Sequence, residues 1–186
     1  VVKPVNGNQG KGVSLNIQTP DELNNAFRIA SKFTENILVE EYINGNDYRI
    51  LIVGDQVTAV SLRIPANVTG DGIHTIAELV ELKNRDQRRG EGHERPLTKI
   101  KIDEISMAIL MKQGYTPDSI PRKGIKVYLK ENGNLSTGGE AIDYTDRIHP
   151  DNQEIAIRAA RIIGLDIAGI DVKCKSISKP LTLENG

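Results

Sequence analysis

The sequence has little cysteine: a single one, Cys174, among 186 residues. One cysteine cannot form a disulfide within the chain, which excludes the class of small secreted proteins that are held together by disulfides. Such sparse use of cysteine is typical of a reducing compartment, and we therefore expect a cytoplasmic protein. Because Cys174 stands in an apolar stretch, we interpret it as a packing residue and not as a nucleophile.

Long apolar runs and an excess of charge are also lacking. No stretch approaches the roughly 18 consecutive apolar residues of a membrane-spanning helix, and no signal peptide is visible. The 24 basic and 25 acidic residues give a formal net charge of −1, so no overall field favours nucleic acid or an acidic membrane. We therefore expect neither nucleic acid nor a membrane as a partner. A length of 186 residues allows one good core or two small subdomains.

Glycine is concentrated near the start of the chain, in a loop between two short apolar runs. The first run ends at Lys3, and the second covers 13–17. Glycines let backbone N–H groups come close to a ligand, and a nearby lysine neutralises phosphate charge. The pattern therefore predicts a hairpin whose loop closes over phosphates, with an ordinary Gly/Asn hairpin turn as the alternative. The loop glycines are Gly7, Gly10 and Gly12.

This loop differs from two better-known phosphate loops. The Walker A motif needs a glycine five positions before its Gly-Lys pair, and Val5 stands there in front of Gly10. The dinucleotide fingerprint must open a helix, whereas a strand-like segment follows this loop. Because the loop also stands at the very start of a chain that lacks an initial methionine, we expect a piece of a larger nucleotide-using enzyme.

Periodicity and turn residues predict an α+β fold with helices and short strands interspersed. We expect helices over 20–33, 75–84, 103–113 and 152–163. We expect strands over 37–43, 47–53, 56–64, 125–130, 141–143 and 165–172. Turn-rich loops are predicted at 65–72 and 132–139, where glycine, asparagine and serine gather.

One polar stretch, 85–96, has two interpretations. It contains basic residues among acids, and we favour a solvated connection between elements. The alternative is a basic lip that attracts an anionic substrate. Its basic residues are Arg85, Arg88, Arg89, His93 and Arg95.

Three acidic positions are suited to nucleotide binding. The strand at 38–43 can offer its backbone to a purine edge, with Glu40 accepting from the exocyclic amine. Asp47 follows the next turn and can bridge two ribose hydroxyls. Asp171 is isolated in an apolar strand, which is costly unless it binds a cation such as Mg²⁺ or a donor. Alternatively, Glu40 and Glu41 are solvated and Asp47 is an ordinary turn residue.

The order of these motifs resembles that of the ATP-grasp ligases and, more narrowly, of the cyanophycin synthetases. The stretches that carry the resemblance are 3–13, 47–51, 68–72, 85–94, 134–139 and 159–171. The narrower markers are Arg-Arg-Gly-Glu-Gly-His-Glu at 88–94 and Ser-Thr-Gly-Gly at 136–139.

The resemblance implies a partial ATP-grasp fold. A small lid subdomain with an antiparallel sheet would cover 1–43. A larger C-terminal α+β subdomain, incomplete, would cover 44–186, with a helical insertion at about 75–114.

It also implies a reaction. In ATP-grasp ligases a carboxylate attacks the γ-phosphate of Mg-ATP, and an amine then displaces phosphate from the acyl phosphate to form an amide. Cyanophycin synthetases extend a poly-aspartate backbone in this way, and a separate Mur-ligase-like domain attaches arginine. The implied cofactors are ATP and Mg²⁺, and the implied partners are aspartate and a poly-aspartyl or cyanophycin primer, in a homo-oligomeric full-length enzyme. A glutathione-synthetase-like ligase and a non-catalytic nucleotide-binding module are the alternatives.

Site residues follow from the resemblance position by position. The phosphates would be contacted by Lys3 and the lid loop of Gly7, Gly10 and Gly12. Adenine would be read by Glu40 and the backbone of Glu41, Tyr42 and Ile43, ribose by Asp47, and Mg²⁺ by Asp171. The transition state also needs cations to offset its developing charge. On adjoining predicted strands we expect Arg63 to act as this clamp, with Arg49 as the second candidate.

The sequence also departs from the family pattern. The family has a Glu-x-Asn strand with further magnesium ligands, which we expect after Gly186, and a second phosphate-binding lysine in a domain that we expect before Val1. We therefore expect the chain to lack that preceding domain and the Mur-ligase-like domain, and to have no ligase activity by itself.

Overall fold

Helices and antiparallel strands are interspersed, so the predicted α+β class is confirmed. The computed structural model describes residues 1–6, 11–92 and 94–186, and divides into a first unit, Val1–Asn44, and a second unit, Gly45–Gly186. The helices are α1 (Pro20–Ala30), α2 (Ile76–Asn84), α3 (Glu104–Lys112) and α4 (Pro150–Ile163). The strands are β1 (Val2–Pro4), β2 (Ile37–Val39), β3 (Asn46–Val53), β4 (Gln56–Ile64), β5 (Asn67–Thr69), β6 (Arg89–Gly90), β7 (Leu97–Thr98), β8 (Lys126–Tyr128), β9 (Glu140–Asp143) and β10 (Ile167–Cys174).

The first unit is a small sheet covered by α1. Strands β1 and β2 pair antiparallel, and Val2 exchanges two backbone hydrogen bonds with Ser14, at 3.0 and 2.8 Å. These bonds return the chain alongside β1, as the predicted hairpin requires. Val2 is buried together with Ala26 and Ala30 of α1. The apolar side of α1 therefore packs against the face of β1 that carries Val2, and Lys3 lies on the opposite face of this strand.

The helix α1 begins where the sequence predicts it. The Thr19 hydroxyl accepts from the backbone N–H of Glu22, and the Glu22 carboxylate accepts from the backbone N–H of Thr19, which completes a capping box. Pro20 occupies the first turn, where it sacrifices no helical hydrogen bond.

The second unit is built on a four-stranded antiparallel sheet in the order β10-β3-β4-β9. Successive side chains of a strand point to opposite faces. One face is apolar and packs against α4, with Ile50, Ile52 and Val60 contributed by the two central strands. Cys174 is fully buried in this core, so its interpretation as a packing residue is confirmed.

A second core lies around the predicted helical insertion. Ile76 of α2 and Leu110 of α3 are fully buried, and they belong to one cluster with Val68 of β5 and Val127 of β8. The two helices thus pack with the β5–β8 strand pair, which holds together a region distinct from the four-stranded sheet.

Several predicted boundaries were wrong. Strand β5 lies inside the predicted loop 65–72, and β6 and β7 form a short parallel pair within and just beyond the predicted connection 85–96. Strand β2 ends at Val39, four residues before the predicted end, and α1 ends at Ala30. No helix among the described residues is both long and apolar enough to cross a membrane.

Candidate functional site

Four charged side chains from three adjacent strands meet on the sheet face opposite the α4 core. Asp47 and Arg49 come from β3, Arg63 from β4 and Asp171 from β10. The register places Asp47 opposite Arg63 and Asp171 opposite Arg49. Directly opposed residues of antiparallel strands have their side chains on the same face, so this pairing assembles the group. We call these four residues the charged cluster.

The contacts within the charged cluster are short and directional. Arg49 donates from Nε and Nη2 to the two carboxylate oxygens of Asp171, both at 2.8 Å, which is a bidentate pair. Nη2 of Arg63 donates to Oδ1 of Asp47 at 2.7 Å and lies 3.3 Å from Oδ1 of Asp171. Arg63 therefore bridges two carboxylates, and it is the most buried member, with 12% of its side chain exposed.

The contact between Arg49 and Asp171 changes the pKa of both residues. Burial alone would raise the pKa of Asp171, but the hydrogen bond from Arg49 and the charge of Arg63 outweigh it, so the pKa lies below its usual value of 3.8. The hydrogen bond to Asp171 raises the pKa of Arg49. Both groups are consequently charged at neutral pH.

A pH dependence of stability follows from this lowered pKa. A carboxyl group whose pKa is lower in the folded state stabilises the fold above its unfolded pKa and loses that contribution as the pH falls through its folded pKa. Asp171 is half exposed, so we expect Asp171→Asn to cost at most about 1 kcal/mol at pH 7. In urea unfolding, the difference from wild type should stay constant down to about pH 5, begin to shrink near the unfolded pKa of 3.8 and vanish as the pH falls through the lower folded pKa. A difference that grows on acidification would contradict this interpretation.

A glycine, Gly133, makes room for Arg63. A Cβ at Gly133 would lie 2.7 Å from the Cβ of Arg63, closer than side-chain atoms can approach. A Cβ at Gly169 would lie 3.4 Å from the Cδ of Arg49, in ordinary van der Waals contact. Only a residue without a side chain allows the 132–139 loop to lie directly on β4 at Arg63. Sequence reasoning missed this role of Gly133.

The first unit brings together Lys3 and Glu40. The ammonium of Lys3 lies 2.6 Å from Oε2 of Glu40. Beside them is a cavity of about 390 Å³ whose lining includes Glu40 and Tyr42 among mostly apolar residues. Its lining residues are Val1, Val2, Ile17, Gln18, Thr19, Pro20, Leu23, Val39, Glu40 and Tyr42. A largely apolar cavity with a few polar groups is typical of a small-molecule site.

The chain is similar to known proteins over its whole length. Residues 1–71 match the family model of the RimK-like ATP-grasp domain. A cyanophycin synthetase from Geminocystis herdmanii is 48% identical over 188 residues, which cover 100% of this chain and 22% of that protein. A crystal structure of a bifunctional glutathione synthetase from Pasteurella multocida has a TM-score of 0.67 and 38% identity, and the match covers 97% of this chain and 25% of that one. Residues 1–71 thus match the ATP-grasp family, and the chain as a whole has an ATP-grasp-like fold.

The ATP-grasp fold predicted from the sequence is therefore confirmed. A second type of relative, the glutathione biosynthesis bifunctional protein GshAB of Clostridium perfringens, is 41% identical over 187 residues, covering 100% of this chain and 24% of that protein. The chain spans about a fifth to a quarter of the length of these curated relatives.

The structure groups the predicted ATP-grasp site residues in two places. Asp47, Arg49, Arg63 and Asp171 form the charged cluster of the second unit. Lys3 and Glu40 form an ion pair in the first unit, and Glu41, Tyr42 and Ile43 follow the end of β2. Gly12 has a left-handed backbone with φ of 74°, whereas the predicted loop residues Gly7 and Gly10 lie outside the described residues.

The predicted connection 85–96 needs a correction at one residue. Arg89, which we assigned to a solvated connection or a basic lip, is buried and hydrogen-bonded within the second unit. The neighbouring Arg88 has 71% of its side chain exposed and pairs with Asp86, as a solvated connection requires. His93, the histidine of the same stretch, lies outside the described residues.

Proposed function

We propose that this ATP-grasp chain contributes to an ATP-dependent ligase that activates a carboxylate as an acyl phosphate and joins it to an amine. The observation that supports this proposal most strongly is the charged cluster. It holds two guanidinium groups side by side on one face of a sheet, each fixed by a carboxylate. Fixed cations of this kind stabilise the charge that develops on a phosphoryl group during transfer.

Arg63 is best suited to contact the transferred phosphoryl group. It is held by Asp47 on one side, yet its Nε has no hydrogen-bond partner among the described residues and is buried. A guanidinium has five N–H donors, and the contacts to Asp47 and Asp171 use only Nη2. Arg63 can therefore keep its position through Asp47 and still donate to a bound anion.

Asp47 has a different immediate role from the one that the resemblance assigns. Its Oδ1 accepts from Arg63, so we propose that it orients Arg63. We also keep the proposal that Asp47 binds ribose, because its second oxygen, Oδ2, accepts no hydrogen bond from the described residues and can accept one from a hydroxyl group. Asp171 orients Arg49 in the same manner, through both of its oxygens.

The nucleotide base is assigned to the first unit. Oε2 of Glu40 contacts Lys3, while its Oε1 has no partner among the described residues and can accept from an adenine amine. Lys3 supplies positive charge beside this position, as phosphate binding requires. The backbone of Glu41, Tyr42 and Ile43 follows directly after the end of β2, and we propose that its N–H and C=O groups bind the adenine ring.

The described residues do not form a metal site by themselves. Within 1–6, 11–92 and 94–186 there is no group of three or more histidine, cysteine or acidic residues that could hold a metal ion. Neither carboxylate oxygen of Asp171 is free to bind a metal ion, because Arg49 and Arg63 contact them. Magnesium binding by Asp171 therefore remains a prediction, and we assign no step of the reaction to a metal.

The substrate that the relatives favour is an aspartyl chain. Relatives named cyanophycin synthetase reach 47–49% identity, against 41–44% for the glutathione biosynthesis proteins. We therefore propose aspartate and a poly-aspartyl primer as substrates. A glutathione-synthetase-like reaction is the second candidate, because a glutathione synthetase shares the fold at 38% identity.

An assay of the complete gene product separates the candidates. With Mg-ATP we expect release of ADP and phosphate that depends on an aspartyl primer and aspartate, with a longer primer as product. Release that depends instead on γ-glutamylcysteine and glycine would favour the second candidate. Nucleotide binding without either reaction would contradict both and indicate a binding module. The 186-residue chain assayed in parallel is expected to be inactive.

A further inference from the structure

Arg89 is a fully buried arginine that the proposed chemistry does not use. Only 1% of its side chain is exposed. Nη1 donates to the carbonyl oxygens of Thr98, at 2.7 Å, and Gly138, at 3.1 Å. Nη2 donates to Oε1 of Glu140 at 2.7 Å. Burying a guanidinium is costly unless it is paired and hydrogen-bonded, so this position is specified by its three acceptors.

Two of the three acceptors of Arg89 lie at the end of one loop. Gly138 and Glu140 belong to the segment 133–140, which ends where β9 begins. Oε1 of Glu140 is also 3.0 Å from the ammonium of Lys83 in α2. Two cations from separate elements therefore hold the start of β9, while Nη1 of Arg89 holds the preceding turn.

The same segment lies against β4 at Arg63. A Cβ on Gly133 would be 2.7 Å from the Cβ of Arg63, and a Cβ on Gly139 would be 2.9 Å from the carbonyl oxygen of Ile64. In register, Glu140 pairs with Ile64 and Ala141 pairs with Arg63. The segment thus contacts the backbone around Arg63 twice, through Gly133 at its start and through Gly139 and Glu140 at its end.

The tight fit leaves the segment few alternative positions. Gly138 has φ of 91°, and a Cβ there would lie 2.9 Å from the Cα of Ile100. A well-packed contact transmits a displacement and does not absorb it. A shift of Gly138 or Glu140 would therefore displace the β4 backbone at Arg63 and Ile64, against which the segment packs.

We propose that Arg89 is a positioning residue, which fixes the segment 133–140 and thereby the aim of Arg63 in the charged cluster. The catalytic part of this inference rests on the proposed function, since it takes Arg63 as the phosphoryl-binding cation. Arginine is required because one planar guanidinium reaches two carbonyls and a carboxylate, whereas the single ammonium of a lysine cannot span them.

The first test uses the 186-residue chain and needs no activity. We expect Arg89→Lys, which keeps the charge, to speed amide hydrogen exchange at Thr137, Gly138 and Gly139, whose N–H groups bond to Asn134 and Leu135 within the loop. The expected acceleration is about tenfold or more. Arg88→Lys is the matched control, because Arg88 is an exposed neighbour, and it should leave these rates unchanged. Unchanged exchange in Arg89→Lys would overturn the proposal, as would an equal acceleration throughout the second unit.

The second test measures the complete gene product. A small misplacement of a catalytic group can lower kcat by about 10²-fold, so we expect Arg89→Lys to lower kcat between about tenfold and 10²-fold with KM for ATP within about twofold. An active wild type with unchanged kcat in Arg89→Lys would overturn the positioning role. A wild type that makes no amide with either substrate pair would contradict the proposed function, while the exchange test still decides whether Arg89 holds the segment.

Discussion

Arg63→Ala is expected to lower kcat for amide formation by about 10²- to 10³-fold in the complete gene product, the usual cost of removing one fixed donor from a developing oxyanion. Arg63 is mostly buried and bridges Asp47 and Asp171. Its loss removes positive charge from the phosphoryl position and leaves Asp47 without its hydrogen-bond partner. Steady-state kinetics with saturating ATP measure the effect directly.

Two further variants separate catalysis from stability. Arg161→Ala removes an exposed arginine that pairs with Asp55 at the same 2.7 Å distance, and its kcat should equal that of wild type. Arg63→Lys keeps the charge and should recover part of the rate. A folded Arg63→Ala protein with wild-type kcat would remove Arg63 from the reaction.

Ile50→Ala is expected to destabilise the chain by about 2–5 kcal/mol, the range measured when large buried aliphatic side chains are truncated. Ile50 lies in the central strand β3 and is fully buried in the core against α4. Urea unfolding should show a lower midpoint with an unchanged m-value.

The adjacent residue provides the control for this variant. Leu51 points to the other face of the same strand and is 36% exposed, so Leu51→Ala should cost about 1 kcal/mol or less. If both substitutions destabilised the chain equally, the assignment of one apolar and one charged face to the sheet would be wrong.

Local signals in the sequence singled out Asp47 and Asp171, whereas Arg49 and Arg63 were proposed from the reaction that the resemblance implies. Alternation along 47–53 and 56–64 marks two strands joined by a tight turn, and the structure has both strands with the same turn. An acidic residue in an apolar strand singled out Asp171. The pairing of β10 with β3 joins residues over a hundred positions apart, and no local pattern encodes that register. The bidentate Arg49–Asp171 contact was therefore not predicted.

Arg89 shows why other features were missed. Its neighbours along the chain are polar and charged, which favours a solvated interpretation. Its burial depends on acceptors at Gly138 and Glu140, which lie 49 and 51 residues further along the chain. Strand β5 was missed for a similar reason, since its partner β8 is distant in sequence. Tertiary contacts overrode local propensity in both places.

The α+β class and the ATP-grasp-like fold are confirmed, while the roles of Lys3, Glu40, Asp47 and Asp171 remain predictions. The account depends on one chemical step, in which a carboxylate oxygen attacks the γ-phosphate. The measurement that tests it most directly uses a primer whose reacting carboxylate is labelled with ¹⁸O, and follows the label by ³¹P NMR of the phosphate released by the complete gene product. We expect one ¹⁸O atom in each phosphate formed with an amide. Unlabelled phosphate, or release of AMP and pyrophosphate, would contradict the account.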